Sequence, residues 1–209
     1  GIGRAIATRF LVDGWNVVNL SRRPCSERGV ENLICDLAEP DAVLALAGQL
    51  SPWLTEATRI CLVHNASVMR AHRIDQLPSA DLRAALELNI LAANGLNQLV
   101  VPHMAPGSSL IYIGSTLSDK AVPGVASYVI AKHALVGMMR ATCQDLAGRG
   151  IHTCIICPGF TDTEQLRGLI GDNPDTLAAI TGLSAFDRLI EPEEIADAVA
   201  FAAQAPVLN

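Results

Sequence analysis

The chain has 209 residues, of which 50% are hydrophobic and 17% are charged, and its formal net charge is −6. This composition excludes a disordered chain, which needs low hydrophobicity and high charge, and disfavours a nucleic-acid-binding protein, which usually needs a basic surface. The sequence has neither an apolar run long enough to span a membrane nor a signal-peptide pattern, so we expect a cytoplasmic protein that does not bind membranes.

Short apolar runs typical of strands alternate with helical patterns along the chain. In chain order, the patterns predict a helix at 2–13, strands at 17–20 and 32–35, a helix at 40–50, a strand at 60–63, a long helix at 79–101, a strand at 110–113, a long helix at 127–148, a strand at 152–157 and a helix at 192–203. This alternation indicates βαβ units, and therefore an α/β fold with a doubly wound parallel sheet flanked by helices on both faces, in three αβα layers.

No linker, repeat or low-complexity stretch divides the sequence, so we expect residues 1–209 to form one domain. The segment 159–190 is rich in Gly, Thr and Asp and is long for a connection inside a compact domain. Long loops of this kind are usually functional, so this segment is predicted to be a substrate-binding lid.

Six cysteines are spread along the chain, and in a chain this apolar we expect them to be reduced and buried. Cys154 and Cys157 form a C-x-x-C pattern, but the second pair of ligands that zinc would need is not evident in the sequence. The pattern lies in a β-branched run, so we interpret it as part of the core and predict no metal site.

Ligands of open parallel sheets bind beyond the carboxyl ends of the strands, so residues that follow predicted strands are the candidates for function. Gly1, Ile2 and Gly3 run directly into a helix, whose N-terminus favours a phosphate that the glycines allow to approach closely. Ser21 and Arg22 follow the first predicted strand, where a basic residue suits the 2′-phosphate of NADP and a carboxylate would suit NAD. The alternative is that the arginines here are only solvated surface residues.

Two further strand ends carry polar or small residues. Asp36 and Leu37 follow the second predicted strand, and Asp36 either accepts a hydrogen bond from an adenine amino group or is an exposed turn residue. Asn65 and Ala66 suit a tight turn near a ligand, whereas His64 before them is interpreted as a core residue or one that supports the site.

The most specific pattern is Tyr128 followed by Lys132 at the start of a long helix. Residues at this spacing share one helix face, and a lysine beside a phenol favours its ionised form, which suits a general acid or base. Ser115 just past a strand could donate to the same substrate oxygen. Asn89 lies among apolar neighbours in the other long helix, where it needs a partner, the alternative being a structural bond to the backbone.

Taken together, these residues resemble the short-chain dehydrogenase/reductase superfamily, whose fold is a Rossmann-type sheet. The resemblance rests on the following motifs: Gly1 and Gly3 match the end of its T-G-x-x-x-G-x-G loop, Asn65-Ala66 matches its N-N-A-G turn with His64 and Ser67 at the outer positions, Asn89, Ser115, Tyr128 and Lys132 match its catalytic tetrad, and Pro158-Gly159 with Thr163 matches the segment that closes over the nicotinamide. The family's first strand, the first half of its phosphate loop and its final strand have no counterpart in the sequence.

The resemblance implies a role for each catalytic residue. Tyr128 would donate the proton during reduction, and Lys132 would hold the nicotinamide ribose and lower the pKa of Tyr128. Ser115 would orient the substrate carbonyl, Asn89 would hold a water molecule of a proton relay, and Thr163 would bond the carboxamide.

The same resemblance implies an NADP(H)-preferring enzyme that reduces a small ketone or aldehyde, with NAD(H) also possible. The alternatives are an NAD-linked alcohol dehydrogenase and a dinucleotide-binding sensor or scaffold without turnover. Family members commonly pair the two long helices across a two-fold axis, so a homodimer or homotetramer through 79–101 and 127–148 is expected.

Overall fold

The computed structural model describes residues 1–171 and 173–205, in which strands and helices alternate as the sequence predicts. The elements in chain order are α1 (Ile2–Val12), β1 (Val17–Ser21), β2 (Val30–Ile34), α2 (Ala42–Glu56), β3 (Cys61–His64), α3 (Ser79–Leu86), α4 (Ala92–Val100), β4 (Ser109–Ile113), α5 (Ala126–Asp145), β5 (His152–Ile156), α6 (Glu164–Ile170), α7 (Pro174–Thr181) and α8 (Pro192–Gln204).

All strand pairs are parallel, which confirms the predicted α/β class, but they fall into two sheets. One sheet contains β1 and β2, and the other has the order β3-β4-β5. The sequence predicted a single sheet, and the structure differs because β1 and β3 are not paired with each other. A cavity of about 670 Å³ lies between these two strands.

Helices cover both faces of the strands, because alternate residues of β4 point in opposite directions. Leu110 and Tyr112 belong to one core, which contains Leu46 of α2 and Leu135 of α5. Ile111 belongs to the other core. That second core packs α1 and α8 against the opposite face, through Ile6, Phe10, Ala196 and Val199. The predicted three-layer arrangement is therefore confirmed.

The long helix predicted at 79–101 is interrupted. Between α3 and α4 the backbone forms a π-helical stretch over Glu87–Leu91, which contains Asn89. The Asn89 side chain donates to the carbonyl of Ala85 at 2.8 Å, and such local side-chain bonds compete with regular helix. Periodicity predicted the helical region but not this irregularity, a type that is frequent at functional sites.

The segment 159–190, predicted to be irregular, contains α6 and α7. Its base is held together by two backbone hydrogen bonds: Asp162 N–H donates to Ile190 at 2.8 Å, and Ile190 N–H donates to Phe160 at 2.9 Å. The two ends of the segment therefore lie next to each other, and its role as a substrate-binding lid stays a prediction.

All six cysteines are free, but the expectation that they are buried is wrong: Cys143 and Cys157 are exposed, and the other four are partly exposed. Strand β5 ends at Ile156, so Cys157 lies just outside it, and the alternation that placed Cys157 in the core does not apply. Across residues 1–171 and 173–205, no helix combines the length and apolarity that crossing a membrane requires.

Candidate active site

Tyr128 and Lys132 lie in the first turns of α5, on one face of the helix. The Lys132 Nζ is 5.4 Å from the centre of the Tyr128 ring, and it donates a hydrogen bond of 2.7 Å to the carbonyl of Ile113 at the end of β4. Lys132 is only 2% exposed, which is rare for a lysine and requires such a partner. The structure therefore brings this predicted pair to the carboxyl end of the central strand.

The start of α5 is fixed by the loop that precedes α3. Ala126 N–H donates to the carbonyl of His72 at 3.0 Å, and His72 pairs with Val125 in a short parallel bridge. This anchor sets where the first helical turn begins, and so where the phenol of Tyr128 lies.

Burial dominates the protonation of both residues. It lowers the pKa of Lys132 to about 8, and proximity to Cys157 works in the opposite direction. Burial also raises the pKa of Tyr128, with hydrogen bonding by Ser115 lowering it and Cys157 raising it further. The expectation that Lys132 lowers the pKa of Tyr128 is therefore not met in this structure, because the lysine is directed to Ile113 and desolvation of the phenol prevails.

Ser115 directly caps a short turn, Thr116–Ser118, that follows β4. Its Oγ accepts a hydrogen bond from Leu117 N–H at 3.1 Å, and its N–H donates to Ser118 Oγ at 3.1 Å. A hydroxyl that accepts from a backbone N–H keeps its own proton for donation to another oxygen. The turn thus fixes Ser115 beside Tyr128 without using the proton of the Ser115 hydroxyl.

Asn89 is buried in the π-helical stretch. Its amide nitrogen bonds the backbone of Ala85, as the structural alternative predicted, while its Oδ1 is buried without a partner among the described residues. An orphaned buried acceptor is costly and fits the predicted role of holding a water molecule.

The N-terminus of α1 is a candidate anion site. No side chain caps it and its first turn holds no acidic residue, so its positive end is not neutralised locally. A Cβ on Gly3 would lie 2.8 Å from Asn65 Nδ2, so only glycine allows this close approach. Both observations fit the pyrophosphate of a dinucleotide, with Gly1, Ile2 and Gly3 on one side and Asn65 and Ala66 opposite.

The predicted 2′-phosphate residues lie at the end of β1. Arg22 is exposed, whereas Arg23 forms an ion pair of 3.6 Å with Glu164 of the lid segment. The Ser21 hydroxyl accepts from Asn19 Nδ2 at 3.0 Å. A free guanidinium beside a fixed hydroxyl suits a phosphate ester.

The remaining predicted residues divide between the site and the core. The Asp36 carboxylate accepts from Ala38 N–H at 3.0 Å, which is the turn role that was its alternative. Leu37 packs in the hydrophobic core. Pro158 is buried and accepts from Thr116 N–H at 2.9 Å. Thr163 caps α6, and its methyl carbon is 3.8 Å from the position of a Cβ on Gly1, so Thr163 lies close to the N-terminus of α1.

Only some of the predicted site residues line the cavity between β1 and β3. Several predicted residues line it, namely Gly3, Ser21, Leu37, Asn65, Ala66 and Asn89. Arg22, Asp36, Tyr128 and Lys132 do not. Gly159 lies on the lid side, within 3.5 Å of the side chain of Ile190 when measured from an added Cβ. Within residues 1–171 and 173–205, no group of three His, Cys, Asp or Glu side chains could hold a metal ion.

The second tyrosine belongs to a different cluster, which sequence reasoning missed. His64 Nε2 and Asn97 Oδ1 are 2.8 Å apart, Asn97 Nδ2 donates to the hydroxyl of Tyr112 at 2.8 Å, and that hydroxyl is 3.0 Å from Thr142 Oγ1. The network lies beside the catalytic face of α5, but Tyr112 is fully buried and fully engaged. Of the two tyrosines, Tyr128 is therefore the candidate for contact with a substrate.

A family model described as enoyl-(acyl carrier protein) reductase matches residues 1–205. The chain belongs to the short-chain dehydrogenase/reductase superfamily. It is 28% identical to the 3-oxoacyl-[acyl-carrier-protein] reductase FabG of Salmonella typhimurium, over 97% of this chain and 85% of that protein. It is 32% identical to a cyclic-di-GMP-binding biofilm dispersal mediator protein of Escherichia coli, over the same shares.

Among solved structures, a short-chain dehydrogenase of Burkholderia cenocepacia in complex with NADP is 27% identical, with a TM-score of 0.85 over 99% of this chain and 87% of that one. Membership shows an NAD(P)-dependent oxidoreductase that acts on a CH–OH or C=O group of a small molecule.

Proposed function

We propose that the protein is a carbonyl reductase that uses NADPH to reduce a ketone or aldehyde. The observation that carries this proposal is the pairing of Tyr128 with the buried Lys132, 5.4 Å from ring to ammonium, beside the Ser115 hydroxyl that also hydrogen-bonds Tyr128. A binding protein without turnover has no use for a buried lysine held against a phenol.

The residues divide the work of reduction among them. When bound, NADPH supplies a hydride from the nicotinamide ring. Ser115 donates a hydrogen bond to the carbonyl oxygen, and Tyr128 transfers its proton to that oxygen as negative charge develops. Lys132 supplies positive charge behind the phenol, and Asn89 Oδ1 holds a water molecule that returns a proton. Because burial raises the pKa of Tyr128, the phenol stays protonated at neutral pH, as an acid in the reductive direction must be.

The preference for NADP(H) over NAD(H) rests on Ser21 and Arg22. Residues 21–23 contain no carboxylate that would repel a 2′-phosphate, and the Arg22 guanidinium is exposed. The Burkholderia structure was solved with NADP, which supports the same preference. Thr163 and Pro158 are placed to cover the nicotinamide from the lid side.

Two alternatives remain distinct from this proposal. An NAD-linked alcohol dehydrogenase would run the same chemistry in the oxidative direction. A dinucleotide-binding sensor is favoured by the Escherichia coli relative, which is named for binding cyclic di-GMP. Oxidation of NADPH with a panel of ketones and aldehydes separates the reductase from the sensor, because a sensor would bind cyclic di-GMP in calorimetry and consume no NADPH.

We also propose that residues 1–209 form one domain, with β1 and β3 on either side of the cavity. Each strand has one edge that faces the cavity, and apolar side chains such as Phe10 and Leu96 line it. Residues 159–190 would be the substrate lid. The helices around 79–101 and 127–148, which expose Leu91 and Ile130, would pair in a homodimer or homotetramer.

The decisive variant is Tyr128→Phe, matched by Tyr112→Phe in the same protein. Loss of the proton donor is expected to reduce kcat by about a hundredfold or more, because general acid catalysis contributes on that scale. Tyr112→Phe removes an equivalent hydroxyl from the buried network and should retain turnover. Steady-state oxidation of NADPH measures both. Equal rates for Tyr128→Phe and wild type would disprove the proposed mechanism.

A further inference from the structure

Cys157 lies at the carboxyl end of β5, next to the residues that follow β4. Gly114 N–H donates to the carbonyl of Ile156 at 2.7 Å, and Thr116 N–H donates to that of Pro158 at 2.9 Å. These two bonds flank Cys157 and hold its backbone opposite Ser115.

One peptide group links Cys157 to the catalytic lysine. The carbonyl of Ile113 accepts from Lys132 Nζ at 2.7 Å, and the N–H of the same peptide group, which belongs to Gly114, bonds Ile156. Lys132 and Ile156 are thus hydrogen-bonded to the C=O and the N–H of the same planar peptide group.

A missing side chain makes room for the thiol. A Cβ on Gly114 would lie 2.9 Å from Cys157 Sγ and 2.9 Å from Ser118 Oγ, closer than real Cβ atoms approach. The thiol therefore occupies space that glycine leaves open, beside the turn that orients Ser115. Cys157 is also exposed, so it faces the solvent-accessible side of the site.

The charges around Cys157 come from the catalytic pair. From α5, Tyr128 and Lys132 are the ionisable groups that interact with it, and the segment from Gly114 to Ser118 contributes only neutral residues. The charged residues that follow in the lid segment are already engaged, since Asp162 pairs with Arg167, and Glu164 pairs with Arg23.

We propose that Cys157 is a positioning residue of the proposed active site, and that the charge of its side chain sets the pH range in which Tyr128 keeps its proton and Lys132 its charge. The inference rests on the proposed roles of those two residues. A negative side chain at this position opposes formation of the phenolate and stabilises the ammonium, so it extends reduction to higher pH. A neutral side chain narrows that range. A negative charge at Cys157 acts in this direction, because it raises the pKa of Tyr128 in addition to burial and raises the pKa of Lys132 against burial.

The test measures ionisation of Tyr128 directly, without cofactor or substrate. The chain has two tyrosines, and Tyr128→Phe identifies which step of the ultraviolet phenolate titration belongs to Tyr128. Cys157→Asp and Cys157→Asn form a pair of similar shape that differs in charge. Cys157→Asp should raise the pH at which Tyr128 ionises by on the order of one pH unit relative to Cys157→Asn.

Cys157→Ala provides a second comparison, with circular dichroism to confirm folding. Removal of the thiol should lower the ionisation pH of Tyr128 below that of wild type. Identical Tyr128 titrations in the folded Asp and Asn variants, or in Cys157→Ala and wild type, would overturn the inference. If the titrations shift as expected but no variant consumes NADPH, the electrostatic role stands and the proposed reductase function fails.

Discussion

At the scale of single residues, Arg22 and Arg23 show how two adjacent arginines differ in what they can bind. Arg23 is paired with Glu164 at 3.6 Å, whereas Arg22 forms no ion pair with any residue in the described ranges. For the proposed preference for NADP(H), Arg22 is therefore the candidate guanidinium to bind the 2′-phosphate.

Arg22→Ala should weaken NADPH binding about tenfold or more, because a hydrogen bond to a charged group contributes about 1.5–3 kcal/mol. NADH lacks the 2′-phosphate, so its affinity should stay unchanged in the same variant. Calorimetric titration with both cofactors measures the effect, and Arg23→Ala is the matched control, with a smaller loss. An equal loss for NADPH and NADH would contradict the assignment.

Single residues also differ in how well the sequence predicts their place in the candidate site. Tyr128 and Lys132 were predictable because helix geometry alone places them on one face. The place of Cys157 was not predictable, because it depends on where β5 ends. The sequence predicted a strand that includes residue 157, but β5 stops one residue earlier, so the thiol is exposed and not buried. The direction of the Tyr128 pKa also escaped prediction, since desolvation depends on packing that no sequence pattern reports.

At the scale of elements, the turn after β4 depends on a glycine that no helix or strand pattern required. Gly114 lies where β4 ends, and the side chains of Ile155, Cys157 and Ser118 would each be 2.9 Å from a Cβ there. The turn that orients Ser115 and the end of β5 can therefore come together only around a residue without a side chain.

Gly114→Ala should lower the free energy of unfolding by about 1–3 kcal/mol, as overpacking does, and should reduce turnover by displacing Ser115. Gly137→Ala is the matched control. Gly137 is exposed within α5 and a Cβ there meets nothing within 4 Å, so alanine should stabilise the helix by about 0.5–1 kcal/mol. Urea denaturation of both variants measures the difference. A Gly114→Ala protein as stable as wild type would contradict the packing argument.

The order of the elements and the parallel pairing of the strands were predictable from alternating patterns. The interruption of the helix and the division of the sheet were not. Periodicity placed one helix at 79–101, but the Asn89 side chain bonds Ala85 and the backbone widens into a π-helical turn. The pattern also predicted one sheet, but β1 and β3 line a shared cavity instead of pairing. Both departures depend on which polar groups form hydrogen bonds with one another in the folded chain, and the spacing of hydrophobic residues does not encode that.

At the scale of the whole molecule, a buried polar network ties together elements from both the sheet and the helical layer. It joins His64 of β3, Asn97 of α4, Tyr112 of β4 and Thr142 of α5. The rings of His64 and Tyr112 also stack, with centroids 4.7 Å apart. Since α5 carries the catalytic pair, the network links the stability of the fold to the placement of the site.

This network makes the stability of the molecule depend on pH. Burial lowers the pKa of His64 from 6.5 to about 4, while its hydrogen bond to Asn97 opposes the change. Between these values the unfolded chain binds a proton that the folded protein does not, so acid favours unfolding. The stabilisation is complete above the unfolded pKa of 6.5, and about 3 kcal/mol of it is lost as the pH falls towards 4.

Replacing His64 with a side chain that cannot be protonated should therefore flatten the dependence of stability on pH between these two values. His64→Asn retains a polar group that can bond Asn97, and His103→Asn is the matched control because His103 is exposed. Urea unfolding at a series of pH values should give a shallower slope for His64→Asn and the wild-type slope for His103→Asn. If wild type and His64→Asn lose stability equally on acidification, the buried histidine is not the group that the acid titrates, and the carboxylates of the surface ion pairs would have to account for the loss.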